Sequence, residues 1–391
     1  MIMYNVSVSI CKITGGIIMT SSENGKNILT VDGMRAYLSK AYTAYIKAGI
    51  PLKRFPSVML WGAPGVGKSQ GVREIAKDIE TATGKKVHVT DVRLLLFNPV
   101  DLRGIPTASE DRTSAVWLRP EIFKMDESED VINILFLDEI SAAPPSVQAA
   151  AYQITLDRVI GEHRLPENCI VIAAGNRLTD RSVAYKMPKA LANRLCHIEI
   201  RSDPESWRRW AISNGIHSIV TGFIDYNPTS LCCTEGNDGN NAFPTPRSWE
   251  MVSNILTHIS DDINEVFPLI SGCIGSTTAY SFKAWAEIFA KTPNVKDIFE
   301  GKPVKCPARP EIMFALISNM VLYATAHPVQ KNLDNSIAFA EEHLTREFRS
   351  KLFGDYLKSG TLVPLLKKNY TFDDWMVRNR LEWEDYEADE Y

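Results

Sequence analysis

The chain has 391 residues, of which 45% are hydrophobic and 23% are charged, and its formal net charge is −4. This length predicts two or three domains of ordinary globular composition. The acidic balance excludes a global basic footprint for nucleic acid but not a local basic channel. No apolar run approaches the about 20 residues that span a bilayer, so we expect no membrane partner.

The cysteine pattern favours a reduced compartment. The count of seven is odd and no C-x-x-C pair occurs, which indicates neither a disulfide framework nor a zinc site. A cytoplasmic location fits such free thiols best. The cysteines are Cys11, Cys169, Cys196, Cys232, Cys233, Cys273 and Cys306.

The first 26 residues form an N-terminal extension that ends in the polar linker 21–26. Either it is a β-rich extension or translation begins at Met19, and the sequence leaves both open. Residues 30–48 then show helical spacing, with apolar side chains on one face and Gly49 and Pro51 as stop signals. The residues of that face are Met34, Leu38, Tyr42 and Tyr45.

The strongest motif lies at residues 62–69 and fits the pattern G-x-x-x-x-G-K-[ST] at every fixed position. Residues 57–61 predict a buried strand before it, and residues 70–79 predict a helix after it. Glycines allow the backbone to curl and direct its N–H groups at a phosphate, and the helix adds its positive end. We therefore expect bound ATP, held by Gly62, Ala63, Pro64, Gly65, Val66, Gly67, Lys68, Ser69 and Gln70.

Two residues of this loop have distinct predicted roles. Lys68 can reach the β- and γ-phosphates, and the Ser69 hydroxyl can ligate Mg²⁺. The helix at 30–48 precedes this motif, so it either covers the nucleotide base or only packs against the core.

Further strands alternate with helices, which predicts a parallel sheet buried on both faces. The predicted strands are 87–90, 131–137, 169–174 and 196–200, and the predicted helices between them are 145–157 and 189–195. Residues 97–118 have weak periodicity and many loop formers, so we interpret them as a functional insertion. A core position is the simplest interpretation of Trp117.

After residue 203 the pattern becomes helical. The predicted helices are 205–214, 216–226, 246–259, 263–272, 277–290, 310–327 and 335–353. The polar segment 227–244 reads as a loop, and 371–391 as an acidic amphipathic tail that docks loosely, binds a partner or is solvated. These boundaries predict an extension (1–26), a phosphate-loop core (27–203), an all-α lid (204–272) and a helical C-terminal region (273–391).

Polar residues follow two of the buried strands, at the sheet edge where ligands bind. Asp138 and Glu139 follow the strand at 131–137, and Asn176 follows the strand at 169–174. We expect Asp138 to hold Mg²⁺ through water and Glu139 to orient and deprotonate the attacking water. The neutral Asn176 amide is suited to contact the γ-phosphate or that water.

Taken together, these motifs and the segment 192–195 resemble those of AAA+ ATPases. The segment 98–106 is similar to one found in the MoxR-like branch, which includes bacterial and phage members. The resemblance covers residues 30–260 and implies a P-loop AAA+ core followed by an all-α lid. No aromatic-Val-Gly pore loop is evident, so threading of a polypeptide through a ring is not predicted. Asp101 and Arg103 either pair locally or face a central pore.

The resemblance also implies roles for several arginines. Arg194 stands where AAA+ proteins carry the arginine finger, which enters the site of a neighbouring subunit, and Arg181 and Arg177 are alternatives. Arg247 resembles the lid-domain sensor that approaches the γ-phosphate from its own subunit. A finger that acts in trans implies a homo-oligomer, and family members are usually hexameric rings.

Three functions are compatible with these motifs. The preferred one is a MoxR-like ATPase that remodels or activates a separate protein, which in this family often carries a von Willebrand factor A domain. The second is a nucleic-acid motor or loader, which would need a basic stripe that the sparse pairs Arg208-Arg209 and Lys367-Lys368 do not supply. The third is a nucleotide-switched structural module, against which the intact Glu139 argues.

Overall fold

The computed structural model describes residues 27–177, 185, 187, 192–233 and 242–383. Its centre is a six-stranded parallel sheet with the order β1-β10-β2-β9-β6-β3. Two antiparallel hairpins, β4–β5 and β7–β8, are separate from it. The strands are β1 (Ile28–Leu29), β2 (Val58–Trp61), β3 (Lys86–Arg93), β4 (Ile105–Ala108), β5 (Ala115–Leu118), β6 (Val131–Asp138), β7 (Val159–Ile160), β8 (His163–Arg164), β9 (Cys169–Gly175) and β10 (Cys196–Ile200).

Helices cover both faces of the sheet, because successive side chains of the central strands point to opposite sides. In β6, Ile134 packs with α1 and α2, whereas Leu135 packs with α4. The helices of this part are α1 (Val31–Lys47), α2 (Lys68–Thr83), α3 (Pro99–Arg103) and α4 (Pro145–Asp157). The predicted parallel sheet with flanking helices is confirmed, as is the helix over 30–48, with Met34, Leu38 and Tyr42 buried.

The remainder of the described chain is helical and contains two hydrophobic clusters. One is built around Trp249, Phe282 and Trp285, and the other around Phe353 and Tyr356. The helices are α5 (Pro204–Ser213), α6 (Ser218–Tyr226), α7 (Pro246–His258), α8 (Ile263–Ile274), α9 (Ser276–Phe289), α10 (Val295–Phe299), α11 (Pro310–Ala326), α12 (Gln330–His343), α13 (Arg346–Leu357), α14 (Val363–Leu366) and α15 (Tyr370–Arg378). None of the helices in the described ranges is long and apolar enough to cross a bilayer.

Three local expectations were wrong. The helix predicted over 335–353 is two helices, because the chain becomes extended at Leu344 and buries that side chain. The tail is not loosely attached where it is described, since Phe372, Trp375 and Met376 of α15 are buried in the second cluster. Trp117 is only half-buried on the β4–β5 hairpin and lies outside the clusters.

The division into extension, core, lid and C-terminal region stays a prediction. The first helical cluster continues beyond residue 272 into α9, because Phe282 and Trp285 pack against Phe223 and Trp249 of the lid. Residues 1–26 and the last eight residues of the predicted tail lie outside the described residues.

Candidate nucleotide site

The phosphate loop joins β2 to α2 at the carboxyl edge of the sheet, as its sequence predicts. Gly65 and Gly67 have positive φ angles of 77° and 103°, a conformation that side chains with a Cβ rarely adopt. A Cβ on Gly65 would also lie 2.9 Å from Thr245 Oγ1, at the start of α7. The loop therefore needs glycine both for its curl and for its contact with the helical region.

Lys68 is buried within the curl of the loop. Its Nζ donates hydrogen bonds to the carbonyl oxygens of Gly62 at 2.5 Å and Ala63 at 3.1 Å. It also donates to Asn176 Oδ1 at 3.2 Å, which joins the loop to the end of β9. The ammonium is thus held at the position where phosphate oxygens would replace these acceptors.

Ser69 and Asp138 meet directly, although they belong to different elements. The Ser69 hydroxyl donates to Asp138 Oδ2 at 2.9 Å. A hydroxyl beside a carboxylate is the oxygen donor set that Mg²⁺ prefers when substrate phosphates supply further ligands. These two residues therefore fit the metal ion that the motif implies.

Glu139 has an unusual backbone conformation at the end of β6. Its φ is 59°, in the left-handed region, and its N–H donates to Asp138 Oδ1 at 2.9 Å. Such a conformation is costly for a residue with a Cβ and is found most often at functional sites. The turn directs the chain away from the sheet and leaves both carboxylates lining the cleft.

Asn176 is positioned by the residues around it. Its N–H donates to Ser141 Oγ at 2.8 Å. A Cβ on the preceding Gly175 would lie 2.8 Å from the same hydroxyl and 2.9 Å from Met59 Cε, so a larger residue there would displace one of these side chains. The Asn176 side chain therefore lies beside the phosphate loop, where its Oδ1 accepts from Lys68.

One cleft contains most of the predicted site residues. It is lined by the loop from Pro64 to Gln70, by the β6 and β9 ends, and by Arg247 at the start of α7. Gly62 and Ala63 belong to the loop but act through the carbonyl oxygens that Lys68 contacts. The structure thus brings the loop, the two carboxylates, the Asn176 amide and Arg247 to one cleft.

Arg194 and Arg177 do not line this cleft. Arg194 is exposed on a second cleft, before the amino end of β10. Arg177 forms an ion pair with Glu199 on the sheet. Arg181 lies outside the described residues.

The structure adds cleft residues that the sequence analysis missed. Arg201 follows β10 directly, so the strand-end rule that identified Asp138 and Asn176 could also have identified it. Trp207 and Trp210 of α5 also line the cleft, but on an amphipathic helix their spacing is indistinguishable from that of core residues. Their indole N–H groups are buried and have no hydrogen-bond partner within the described ranges.

A salt bridge joins α5 to the start of α1, where Asp32 lines this cleft. Arg209 of α5 donates to Asp32 Oδ2 at 2.9 Å, at the start of α1. The Asp32 N–H also approaches Ser206 Oγ at 3.4 Å. Helix α1 therefore packs against the sheet, and its first residues also line the cleft that Trp207 and Trp210 line.

Comparison with known families agrees with this geometry. Residues 57–197 match the family described as "ATPase family associated with various cellular activities (AAA)". The matched residues contain the loop, Asp138, Glu139, Asn176 and Arg194, whereas Arg247 lies beyond them.

Solved structures similar to the whole chain are remote. A single-residue mutant of RuvB from Thermotoga maritima has 15% identity and a TM-score of 0.34, over 74% of this chain and 84% of that chain. PCH-2 from C. elegans has 12% identity and a TM-score of 0.31, over 75% and 67%. A putative ATPase from Cytophaga hutchinsonii has 14% identity and a TM-score of 0.30, over 82% and 89%. The comparison with curated proteins returned no match.

Proposed function

We propose that this chain is an ATP-hydrolysing, MoxR-like ring ATPase that remodels or activates a separate protein. The observation that carries the proposal is the 2.9 Å hydrogen bond from Ser69 Oγ to Asp138 Oδ2, in a cleft that Glu139 and Arg247 also line. AAA ATPase domains bind ATP, usually with Mg²⁺, and this arrangement has the residues for both.

Each cleft residue then has a separate task. Lys68 exchanges its carbonyl acceptors for β- and γ-phosphate oxygens, and Ser69 and Asp138 hold Mg²⁺, Asp138 through water. When bound, Mg²⁺ neutralises charge that develops on the phosphate oxygens. Glu139 orients the attacking water and removes its proton, and Asn176 contacts the water or the γ-phosphate. Arg247 links the lid to the nucleotide of its own subunit.

The position of Arg194 supports hydrolysis at subunit interfaces. Strands β2 and β10 are parallel, with Cys196 opposite Val58 and Glu199 opposite Trp61. Arg194 precedes this pair of strands, whereas the phosphate loop follows it, so they lie at opposite edges of the sheet. An arginine there is suited to serve the next subunit of a homo-oligomer, for which we propose a hexameric ring.

The insertion supports a protein partner. Its β4–β5 hairpin exposes large apolar side chains, with Ile105 63% and Leu118 58% exposed. The hairpin is nevertheless held by a neighbouring element, because His163 Nε2 of the β7–β8 hairpin lies 2.8 Å from the Trp117 carbonyl oxygen. A fixed, exposed apolar surface can transmit nucleotide-driven movement to a bound protein, such as one with a von Willebrand factor A domain.

Subunit mixing tests the shared site. Arg194→Ala and Lys68→Ala proteins should each be inactive alone, and their mixture should regain ATPase activity. Activity returns because a Lys68→Ala subunit can donate Arg194 to a neighbour with an intact loop. An inactive mixture in which both variants co-assemble would contradict hydrolysis at interfaces.

A trapping experiment tests the partner class. The Glu139→Gln protein, expressed in its native cells, should retain a specific protein in ATP but release it in ADP. Stimulation of the wild-type ATPase by that purified protein, and not by DNA at low salt, would support remodelling. Clear stimulation by DNA alone would instead support the nucleic-acid motor.

A further inference from the structure

The second cleft lies at the amino edge of the sheet, and we call it the amino-edge cleft. Arg54 precedes β2 and Arg194 precedes β10, and these two strands are direct neighbours. The C-terminal end of α4 forms the rest of its wall. The lining residues are Lys53, Arg54, Phe55, Pro56, Ser57, Thr155, Leu156, Asp157, Arg158 and Arg194.

Positive charge exceeds negative charge along this lining, with Asp157 as its carboxylate. Two of the cations have partners inside the chain. Lys53 forms an ion pair with Glu167. The Arg158 guanidinium donates to the carbonyl oxygens of Cys169 at 2.8 Å and Phe55 at 3.1 Å. Lys53 and Arg158 therefore already have partners within the same chain.

Arg54 and Arg194 differ from them. Both are exposed, and within the described ranges neither side chain has an ion pair or a hydrogen bond. Two guanidinium groups on one cleft repel each other unless an anion lies between or beside them. A guanidinium fork matches the oxygens of phosphate or carboxylate, so this cleft is suited to receive such an anion.

The anion cannot be the triphosphate in the same subunit. The paired segments of β2 and β10 separate the amino-edge cleft from the phosphate loop by four residues, or about 13 Å at the rise of a strand. The guanidinium groups also line a different cleft from the loop. The ligand must therefore come from another molecule.

We propose that Arg54 acts together with Arg194 as a second cation on the triphosphate held by a neighbouring copy of this chain. This inference rests on the proposed function, since it needs the shared site. Arg54 is then a catalytic residue that contacts a phosphate oxygen across the interface. It adds positive charge where negative charge develops during transfer of the γ-phosphoryl group.

Steady-state ATPase assays on full-length variants test this role. For Arg54→Ala we expect kcat to fall about 10²-fold to 10³-fold, as when one donor of a charge-stabilising site is removed. Arg54→Lys keeps the charge but not the fork and should retain more activity. Lys53→Ala is the matched control, because it removes a neighbouring charge that is already paired, and its kcat should change less than about twofold.

Mixing with Lys68→Ala separates the possible outcomes. If Arg54→Ala regains activity in that mixture, Arg54 acts in trans as proposed. If Arg54→Ala alone keeps its kcat within about twofold of wild type, the inference is wrong. If Arg54→Ala only weakens assembly and kcat recovers fully at high protein concentration, the anion is a carboxylate of the neighbouring subunit and the inference is also wrong. Failure of the Arg194→Ala mixture would instead overturn the shared site itself.

Discussion

Ser69 Oγ donates a hydrogen bond of 2.9 Å to Asp138 Oδ2, across 69 residues of sequence. This contact connects the first turn of α2 with the end of β6 and places both oxygens at one cleft. Because β9 pairs with β6 on one side and β2 on the other, Asn176 reaches the same point. The order of the strands, together with the motifs, therefore determines which residues meet at the site.

Lys68→Ala should remove nearly all ATP binding, because it deletes the ammonium that the loop holds for phosphate oxygens. Binding of a fluorescent ATP analogue measures this directly. Lys77→Ala, an exposed lysine of the same helix, is the matched control and should bind normally. Tight binding by Lys68→Ala would show that the loop holds no triphosphate.

Glu139→Gln should bind ATP with near wild-type affinity but hydrolyse it about 10²-fold to 10⁴-fold more slowly, the usual contribution of a general base. The amide keeps the shape of the side chain but cannot accept the proton. Single-turnover hydrolysis separates the two steps. Glu129→Gln, an exposed residue near the other end of β6, should behave as wild type. A wild-type hydrolysis rate in Glu139→Gln would refute the assigned base.

Arg247→Ala should reduce kcat about 10²-fold to 10³-fold, because one positive charge that lines the cleft is lost. It should also reduce the difference in affinity between ATP and ADP, since Arg247 is expected to sense the γ-phosphate. Isothermal titration with both nucleotides measures this. Arg346→Ala, at an exposed position of α13, is the control. An unchanged preference for ATP would remove Arg247 from the site.

Asp355→Asn should cost about 3–5 kcal/mol of unfolding free energy, because it breaks a buried ion pair. Asp355 is 2% exposed and accepts from Arg208 Nε at 3.0 Å and Nη2 at 2.6 Å. Chemical denaturation measures the loss, with the exposed Asp374→Asn as a control expected within about 0.5 kcal/mol. Equal stability of both variants would contradict a structural role for this pair.

Lys351 should make stability depend on pH. Burial lowers its pKa from 10.5 to about 8, although Asp355 lies 3.7 Å and Asp225 3.6 Å from its Nζ. Between these pH values the unfolded chain binds more protons than the folded protein, so this group makes the free energy of unfolding rise with pH. Relative to Lys351→Met, the free energy of unfolding of the wild type should rise by up to about 3 kcal/mol between a pH of about 8 and pH 10.5. If the free energy of unfolding changes with pH in the same way in both proteins, the pKa of Lys351 is not lowered.

The local pattern of residues predicted much of the core. The octapeptide predicts its flanking strand and helix, and the buried strands predict the strand-end residues Asp138, Glu139 and Asn176. This succeeded because each signal is carried by contiguous residues, and because parallel strands bring their carboxyl ends to one edge.

The helical region was less predictable. The break at Leu344 carries no glycine or proline, and it forms because extending the chain there buries the side chain. Helix α5 illustrates the same limit, since one face contributes Trp207 and Trp210 to the nucleotide cleft while Arg208 on another face pairs with Asp355. Periodicity indicates that a helix has an apolar side but not which neighbour will cover it.

The sequence by itself determined the phosphate loop, the alternation of strands and helices, and the chemical character of the strand ends. Only the tertiary structure decided that Arg201 and the two tryptophans border the cleft, and that Arg54 and Arg194 share the opposite edge. Periodicity and loop chemistry are properties of neighbours along the chain. Contacts between distant segments depend on strand order and on the packing that closes the core, which no local pattern encodes.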